Sequence, residues 1–278
     1  MITTSTSSIP GPKIMLIGES GSGKTHSLRT LLEAGITPFV LFTEPGMETL
    51  GDMPDGSWHY KYVKPFTQKW SDIHNMMQKM NMLSFENMSK VTDPYKTSYT
   101  GLLDTLNACN NFTCDCHGTA FGDVSKWSTD RAFVLDSLSG LGDMAMANAV
   151  GGKPTRSPAE WGMAQNAVRA ILQPLTTATQ CTFVLTGHLA RERDEITGGS
   201  QVMVNTLGQK LAPDLPKMFS DVVMAVREVN VYTWDTAAAN TALKARNLPI
   251  AAKQQPSFVP LIEKWKKNGG KIVPTVNT

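Results

Sequence analysis

Short apolar runs alternate with longer amphipathic stretches along most of this chain. The first apolar run, Lys13–Ile17, leads into a glycine-rich turn, and helical periodicity follows over residues 24–34 until Gly35. Pro38–Thr43 is the next continuous apolar run, of the kind that forms a strand buried on both faces. This order of strand, helix and strand predicts a βαβ unit at the start of the fold.

The same alternation continues through the middle of the chain. We expect a strand over Trp58–Val63 and two short central strands over Ala132–Asp136 and Cys181–Thr186. Residues 84–130 are polar and break the pattern, so they are interpreted as an insertion into the same domain. Helical periodicity is found in the remaining segments, at about 67–83, 99–110, 138–149, 158–178 and 207–219.

The pattern changes towards the end of the chain. Ala190–Asn205 contains Gly198-Gly199 between two stretches of mixed polarity, which favours a mobile hairpin or loop. Short connections then separate three predicted strands, at Asp221–Glu228, Val231–Asp235 and Thr241–Arg246. The expected fold class is therefore α/β, a mostly parallel central sheet flanked by helices with an antiparallel C-terminal extension.

Charge and polarity divide the chain further. Residues 1–12 are polar and predict a flexible lead-in to a domain over 13–250, followed by a basic tail over 251–278. The formal net charge is +2, but residues 241–278 hold seven Lys or Arg and one acid, giving +6 there and −4 elsewhere. A basic segment suits an anionic partner such as nucleic acid, or simply a solvated helix face.

Apolar runs are short throughout. None approaches the roughly 18 residues of a membrane helix, and residues 1–12 lack a signal-peptide pattern. We therefore expect a cytoplasmic protein without a membrane partner.

Residues 18–25 match the pattern G-x-x-x-x-G-K-[ST] at every specified position. The motif follows a predicted strand and opens a predicted helix, where backbone N–H groups surround a phosphate. Lys24 would contact the β- and γ-phosphates, and the Thr25 hydroxyl would ligate Mg²⁺. ATP is favoured over GTP because the guanine-reading pattern N-K-x-D is missing. The predicted nucleotide-binding residues are Gly18, Glu19, Ser20, Gly21, Ser22, Gly23, Lys24, Thr25 and the adjacent His26.

Three polar residues lie at or just after the ends of predicted strands. Asp136 is the candidate acid for the second shell of Mg²⁺, or alternatively a helix N-cap. Glu44 is the candidate that orients the attacking water, with Glu19 and Glu48 as competitors and a turn-forming role before Pro45 as the alternative. His188 lies where ligands bind in open α/β sheets, and is either a γ-phosphate sensor or a satisfied polar residue.

Lys244 and Arg246 lie at positions i and i+2 of the last predicted strand, on one face. Like charges on one strand face repel each other unless a bound anion neutralises them. A phosphate bound to a neighbouring subunit would be such an anion, whereas solvated strand-edge cations are the alternative.

Together these motifs resemble RecA-like ATPases, in particular the phage-encoded RecA-core ATPases linked to single-strand annealing and recombination. The resemblance covers about residues 13–250 and rests on GESGSGKT, the strand-end Glu44, AFVLDS, FVLTGH and the terminal KAR. It implies a RecA-like core in a homo-oligomer, a ring or a filament, and roles in catalysis for Glu44, Lys24, His188, Lys244 and Arg246. It also implies single-stranded DNA and a single-strand-binding protein as partners, in the cytoplasm of an infected bacterial host.

The family's DNA-contacting loops would fall at about 151–158 and 190–210. Basic residues in both loops could meet phosphates, although acids interleave with them and aromatic residues are absent. The candidate DNA contacts are Lys153, Arg156, Arg191, Arg193 and Lys210.

The cysteine-containing segment C-x₄-C-x-C-H supplies ligand types for tetrahedral Zn²⁺. The predicted ligands are Cys109, Cys114, Cys116 and His117. This spacing is tighter than the usual C-x₂₋₄-C pattern, so His59 or His74 is an alternative fourth ligand, and free thiols are the alternative to a metal site.

The leading hypothesis is an ATP-hydrolysing, oligomeric motor or switch acting on single-stranded DNA in recombination, annealing or replication. One alternative is a packaging or helicase-type ATPase that moves duplex DNA. Another is a non-catalytic adaptor that binds ATP to organise a partner.

Overall fold

The computed structural model describes residues 9–64, 69–88, 90–93, 96–153, 155–193, 200–208 and 210–276, with only the backbone described at residues 85, 192, 193 and 200. Residues 1–8 of the lead-in predicted over 1–12, the start of the helix predicted from Thr67 and the pair Gly198-Gly199 lie outside these residues. The strands are β1 (Lys13–Gly18), β2 (Thr37–Phe42), β3 (His59–Tyr62), β4 (Arg131–Asp136), β5 (Thr182–Gly187), β6 (Leu189–Arg193), β7 (Ser200–Val204), β8 (Asp221–Glu228) and β9 (Val231–Asp235).

Helices follow the strands β1, β3, β4 and β9. They are α1 (Lys24–Ser27), α2 (Thr30–Glu33), α3 (Trp70–Asn81), α4 (Phe85–Met88), α5 (Gly101–Asn110), α6 (Leu138–Val150), α7 (Pro158–Thr177) and α8 (Val259–Lys267). The longest, α7, begins at a capping box in which Ser157 and Glu160 satisfy each other's backbone N–H groups. None of the helices in the described part of the chain has both the length and the apolar composition needed to cross a membrane.

Seven of the described strands form one sheet in the order β3-β2-β4-β5-β1-β8-β9. All neighbouring pairs are parallel except β8 and β9, which are antiparallel. The strands β6 and β7 form a separate antiparallel hairpin, as their pattern predicts. The expected α/β class with a mostly parallel sheet is confirmed. The parallel arrangement brings the carboxyl ends of β1, β2, β4 and β5 to one edge of the sheet.

Alternate residues of the central strands pack into two separate cores. On β1, Met15 and Ile17 belong to the core beneath α5, α6 and α7, whereas Ile14 and Leu16 belong to the core beneath α1, α2 and α8. This division follows from the period of two along a strand. The result is a three-layer arrangement with helices on both faces of the sheet.

Two segments outside the regular alternation also contribute to these cores. Within 84–130, Phe112 and Trp127 are buried in the first core. Within 251–278, Leu261, Ile262 and Trp265 of α8 are buried in the second. Both segments therefore pack against the sheet and help to hold it.

The helix predicted over 207–219 is wrong. The described residues form turns and a short 3₁₀ helix at Leu215–Met218. Pro213 and Pro216 explain the difference, because proline has no backbone N–H to donate and disfavours a helical conformation of the preceding residue.

The strand predicted over Thr241–Arg246 is also wrong. Only isolated bridges form there, from Thr241 to Val202 and from Lys244 to Val222. Beyond Lys244 the ladder stops because the carboxylate of Asp221 accepts the backbone N–H of Arg246, at 2.8 Å. A side chain thus takes the place of the next backbone partner.

Candidate nucleotide site

A tight loop joins β1 to α1 and requires glycine at several positions. Gly21 and Gly23 have φ values of +72° and +84°, in the left-handed region that favours glycine. A Cβ atom on Gly18 would lie 2.5 Å from Oγ of Ser22 and 2.6 Å from the carbonyl oxygen of Ala225. The glycines therefore allow the backbone to close into a compact loop at the positive end of the following helix.

Lys24 begins α1, and its buried side chain reaches back into this loop. Its Nζ donates to the carbonyl oxygens of Gly18 and Glu19, both at 2.9 Å. Burial lowers the pKa of Lys24, while nearby acids, first among them Asp136, oppose that shift. The ammonium group is thus positioned where phosphate oxygens would meet the loop.

Asp136 ends β4 beside the loop. Its carboxylate accepts a hydrogen bond from the Thr25 hydroxyl at 2.7 Å and another from the Thr186 hydroxyl. Burial raises the pKa of Asp136, and both hydroxyls and Lys24 oppose that rise. The N-cap of α6 is Ser137, whose side chain accepts from the backbone of Ser139. The carboxylate of Asp136 therefore faces the loop and not the helix end.

Glu44 and His188 come together at the same sheet edge. They follow β2 and β5, and Oε2 of Glu44 lies 3.4 Å from Nε2 of His188. Both side chains are about one third exposed, so water can reach the pair. Of the two competitors for the role of Glu44, Glu48 also lines this cleft, whereas Glu19 contributes a backbone carbonyl to Lys24.

One cleft of about 1000 Å³ contains these groups. Residues 20–26, Glu44, Asp136 and His188 line it. Cavities of this size hold small-molecule ligands. Seven of the nine sequence-predicted nucleotide residues, all but Gly18 and Glu19, therefore share a single space with the three strand-end side chains.

The structure adds cleft residues that the sequence pattern did not reveal, among them Arg29, Thr49, Tyr232, Gln255 and Pro256. Tyr232 reaches the loop because β9 folds back along β8, and its ring carbon would lie 3.0 Å from a Cβ on Gly23. No local motif marks such a residue. Thr186 was detectable, since it precedes His188 by two residues in a strand-end motif.

Lys244 and Arg246 lie away from this cleft. Lys244 pairs with Val222, which is level with Met15 on β1, whereas Gly18 at the loop is level with Ala225. The Nζ of Lys244 donates to the carbonyl oxygen of Phe219 at 2.7 Å. Arg246 is exposed and forms no ion pair with the residues the structure describes.

The candidate DNA-contacting residues differ in their surroundings. Lys153 forms an ion pair with Glu160 at 2.8 Å, and the Arg156 guanidinium lies 5.6 Å from the centre of the Trp161 ring. Arg191 and Lys210 are exposed. Arg193 ends β6, but its side chain lies outside the described atoms.

The cysteine cluster is assembled differently from the predicted set. His59, Cys114, Cys116 and His117 each offer a ligand atom within 4.8 Å of the others. Cys109 is not part of this group, so that assignment is wrong, and His59 stands in its place. Cys109 packs against the first core from α5, where burial raises the pKa of its thiol to about 12.

A family model described as an AAA domain matches residues 10–247. A comparison with curated proteins finds no significant match. The matched region spans the loop, the three strand-end residues and the segment through Arg246. The chain therefore belongs to the AAA-domain family of P-loop ATPases.

Proposed function

We propose that this protein hydrolyses Mg²⁺-bound ATP as an oligomer acting on single-stranded DNA in recombination, annealing or replication, in the life cycle of a bacteriophage. The observation that carries the hydrolytic part is the meeting of Lys24, Asp136 and the Glu44–His188 pair in one cleft. A binding site alone would need the loop but not a partly exposed carboxylate that can orient water.

Each group has a chemical role in this proposal. Lys24 neutralises charge on the β- and γ-phosphates. Mg²⁺, when bound, would be held by the Thr25 hydroxyl, with Asp136 accepting from its water ligands, and would stabilise the charge of the phosphates. Glu44 orients the attacking water and accepts its proton.

His188 connects this chemistry to the neighbouring hairpin. Its ring contacts Glu44, and its carbonyl oxygen accepts the backbone N–H of Asn205 at 2.7 Å. Because β6 begins at the next residue and Asn205 directly follows β7, a movement of His188 would displace both the start of β6 and the end of β7. We infer that His188 reports the presence of the γ-phosphate to β6 and β7, and that Arg191 on β6 meets DNA phosphates.

Two observations support an oligomer that binds DNA. Arg156, Arg191 and Lys210 are basic residues on the two loops that the family resemblance assigns to DNA. Lys244 and Arg246 are remote from the cleft of their own chain, which suits a role at the cleft of a neighbour. Lys153 contributes less to DNA binding in this proposal, because its charge is already neutralised by the ion pair with Glu160.

The test compares Glu44→Gln with the control Glu48→Gln. Glu44→Gln keeps the shape of the side chain and loses its basicity, so we expect ATP binding to be retained and turnover to fall by about 10²–10⁴-fold. Glu48 also lines the cleft, and its variant should keep most of the activity. Wild-type turnover in Glu44→Gln would remove Glu44 from the reaction.

Turnover of the wild type with different DNA tests the rest of the proposal. Stimulation by single strands is expected, and it should weaken steeply with salt if the basic residues meet phosphates. Stimulation by duplex alone would favour a packaging or helicase-type motor. Tight ATP binding with no turnover under any condition would favour an adaptor.

A further inference from the structure

We propose that His59, Cys114, Cys116 and His117 bind one structural Zn²⁺ ion that fastens a hairpin over residues 112–121 to the edge strand β3. The four ligand atoms lie within 4.8 Å of one another, and Sγ of Cys116 is 3.7 Å from Nδ1 of His59. In tetrahedral zinc sites, bonds of about 2.3 Å to sulfur and 2.0–2.1 Å to nitrogen place ligand atoms about 3.3–3.8 Å apart. The ligand atoms would need to move closer by about 1.5 Å at most to reach this geometry.

Backbone hydrogen bonds preorganise the hairpin. Thr113 and Ala120 form an antiparallel bridge, and the N–H of Cys114 donates to the carbonyl oxygen of Thr119 at 3.0 Å. Gly118 has a φ of +67°, which lets the chain turn directly after His117. Three ligands therefore come from one tight turn, which explains why their spacing is shorter than in common zinc motifs.

Asp115 anchors this turn to β3, next to the fourth ligand. Its N–H donates to the carbonyl oxygen of Tyr60 at 2.7 Å, and its carboxylate accepts from the backbone of Tyr62 at 2.8 Å. Lys61 adds an ion pair at 2.6 Å. Because β3 is an edge strand of the sheet among the described residues, these contacts cover backbone groups that would otherwise be exposed.

The surroundings of the two histidines suit metal binding. Nε2 of His117 lies 2.9 Å from Oδ1 of Asp55, which leaves Nδ1 for a metal. A carboxylate on the second ring nitrogen is one of the usual partners of a zinc-binding histidine. The ring of His59 packs against Phe39 and Phe121, with centroids 4.9 and 4.3 Å apart, so its position is fixed.

The ligand chemistry selects the metal. Two thiolates and two neutral imidazoles balance the charge of a divalent ion, and sulfur–nitrogen sets of this kind favour Zn²⁺ over Mg²⁺. Four protein ligands complete a tetrahedron and leave no position for substrate, which is the character of a structural site. None of the four lines the nucleotide cleft, so this site is independent of the ATPase proposal.

The first measurement is the zinc content of the full chain purified without chelators, by elemental analysis. We expect about one zinc per chain. Cys116→Ser and His59→Ala should lose most of it. The matched controls Cys109→Ala and His74→Ala, in which a sequence-predicted alternative is removed, should keep it.

Cobalt titration of the metal-free wild type avoids the risk that a variant fails to fold. Co²⁺ bound by two thiolates should give intense near-ultraviolet charge-transfer absorption and visible bands of tetrahedral coordination, saturating at about one equivalent. Zn²⁺ should then displace it. Absence of these bands, together with absence of zinc in the purified chain, would overturn the proposal, as would equal loss of zinc in Cys109→Ala.

Discussion

The Thr25 hydroxyl donates a 2.7 Å hydrogen bond to Oδ2 of Asp136, across 111 residues of sequence. The contact exists because β1 and β4 end at the same sheet edge, with β5 between them. Thr186 at the end of β5 donates to the other carboxylate oxygen. The carboxylate is therefore held from two sides, although it is buried and loses hydration.

Asp136→Asn should stabilise the nucleotide-free protein and weaken its response to Mg²⁺ and ATP. Burial raises the pKa of Asp136, which means that the folded chain holds the charged carboxylate at a cost. Asparagine removes that charge, and the two hydroxyls can rotate to match it. Wild type at 100 times the dissociation constant of Mg²⁺–ATP should gain about 2.7 kcal/mol of stability. The variant should gain much less in the same thermal-shift series.

The stability difference between these two proteins should depend on pH. A carboxyl whose pKa is raised by folding contributes most stability below its ordinary pKa of 3.8, and this contribution is lost as the pH rises through the folded-state value. Wild type should therefore lose stability relative to Asp136→Asn as the pH increases from about 3.8. Denaturant unfolding without nucleotide measures this difference. A stability difference that stays constant as the pH rises above about 3.8 would contradict a raised pKa for Asp136. The exposed Asp104→Asn variant is the control.

Lys24→Ala should abolish most ATP binding. The side chain is the cation inside the loop, and hydrogen bonds to charged groups contribute about 1.5–3 kcal/mol each. For each hydrogen bond to phosphate that is lost, the affinity for ATP should fall by about 10- to 100-fold. Calorimetric titration with ATP and Mg²⁺ measures the change, and the exposed Lys126→Ala variant should bind normally. Unchanged affinity in Lys24→Ala would mean that the loop is not the nucleotide site.

The sequence predicted the parallel sheet and the loop well because both depend on local patterns. Continuous apolar runs marked β2, β4 and β5, and the polar residue after each run identified Glu44, Asp136 and His188. It could not predict Tyr232 in the cleft, since that position depends on how β9 folds back. Cys109 was wrongly assigned to the metal site for a related reason. Spacing along the chain does not show that α5 directs the Cys109 thiol into the core. Nor does it show that His59, on β3, takes its place in the cluster.

Trp265→Ala should destabilise the whole domain, although the residue lies in the basic C-terminal segment. Trp265 is only 3% exposed, and its indole N–H donates to the carbonyl oxygen of Pro10 at 3.0 Å. Truncating a buried aromatic side chain costs about 3–5 kcal/mol. Chemical denaturation should show this loss, while Lys264→Ala on the exposed face of α8 should have little effect. A negligible change for Trp265→Ala would indicate that α8 does not help to hold the sheet.

Arg246 is predicted to act at the cleft of a neighbouring subunit. Its guanidinium is exposed, and its position beside the amino end of β8 keeps it from the P-loop of its own chain. A cation supplied by a neighbour to the transferred phosphoryl group is worth about 10³–10⁵ in rate. Arg246→Ala should therefore bind ATP almost normally and lose most hydrolysis, whereas Lys253→Ala, another exposed cation, should remain active.

Mixing two inactive variants separates action in the neighbour from action in the same chain. Arg246→Ala keeps an intact loop, and Lys24→Ala keeps an intact Arg246, so a mixed interface can contain one complete site. Turnover should reappear when the two are combined, and it should follow the fraction of mixed interfaces. Two results would refute the role: background activity although mixed oligomers form, or full wild-type turnover by a dilute monomer. In either case Arg246 would not complete a neighbour's site: the first result would mean that Arg246 is needed in the same chain as the intact loop, and the second that turnover does not need assembly.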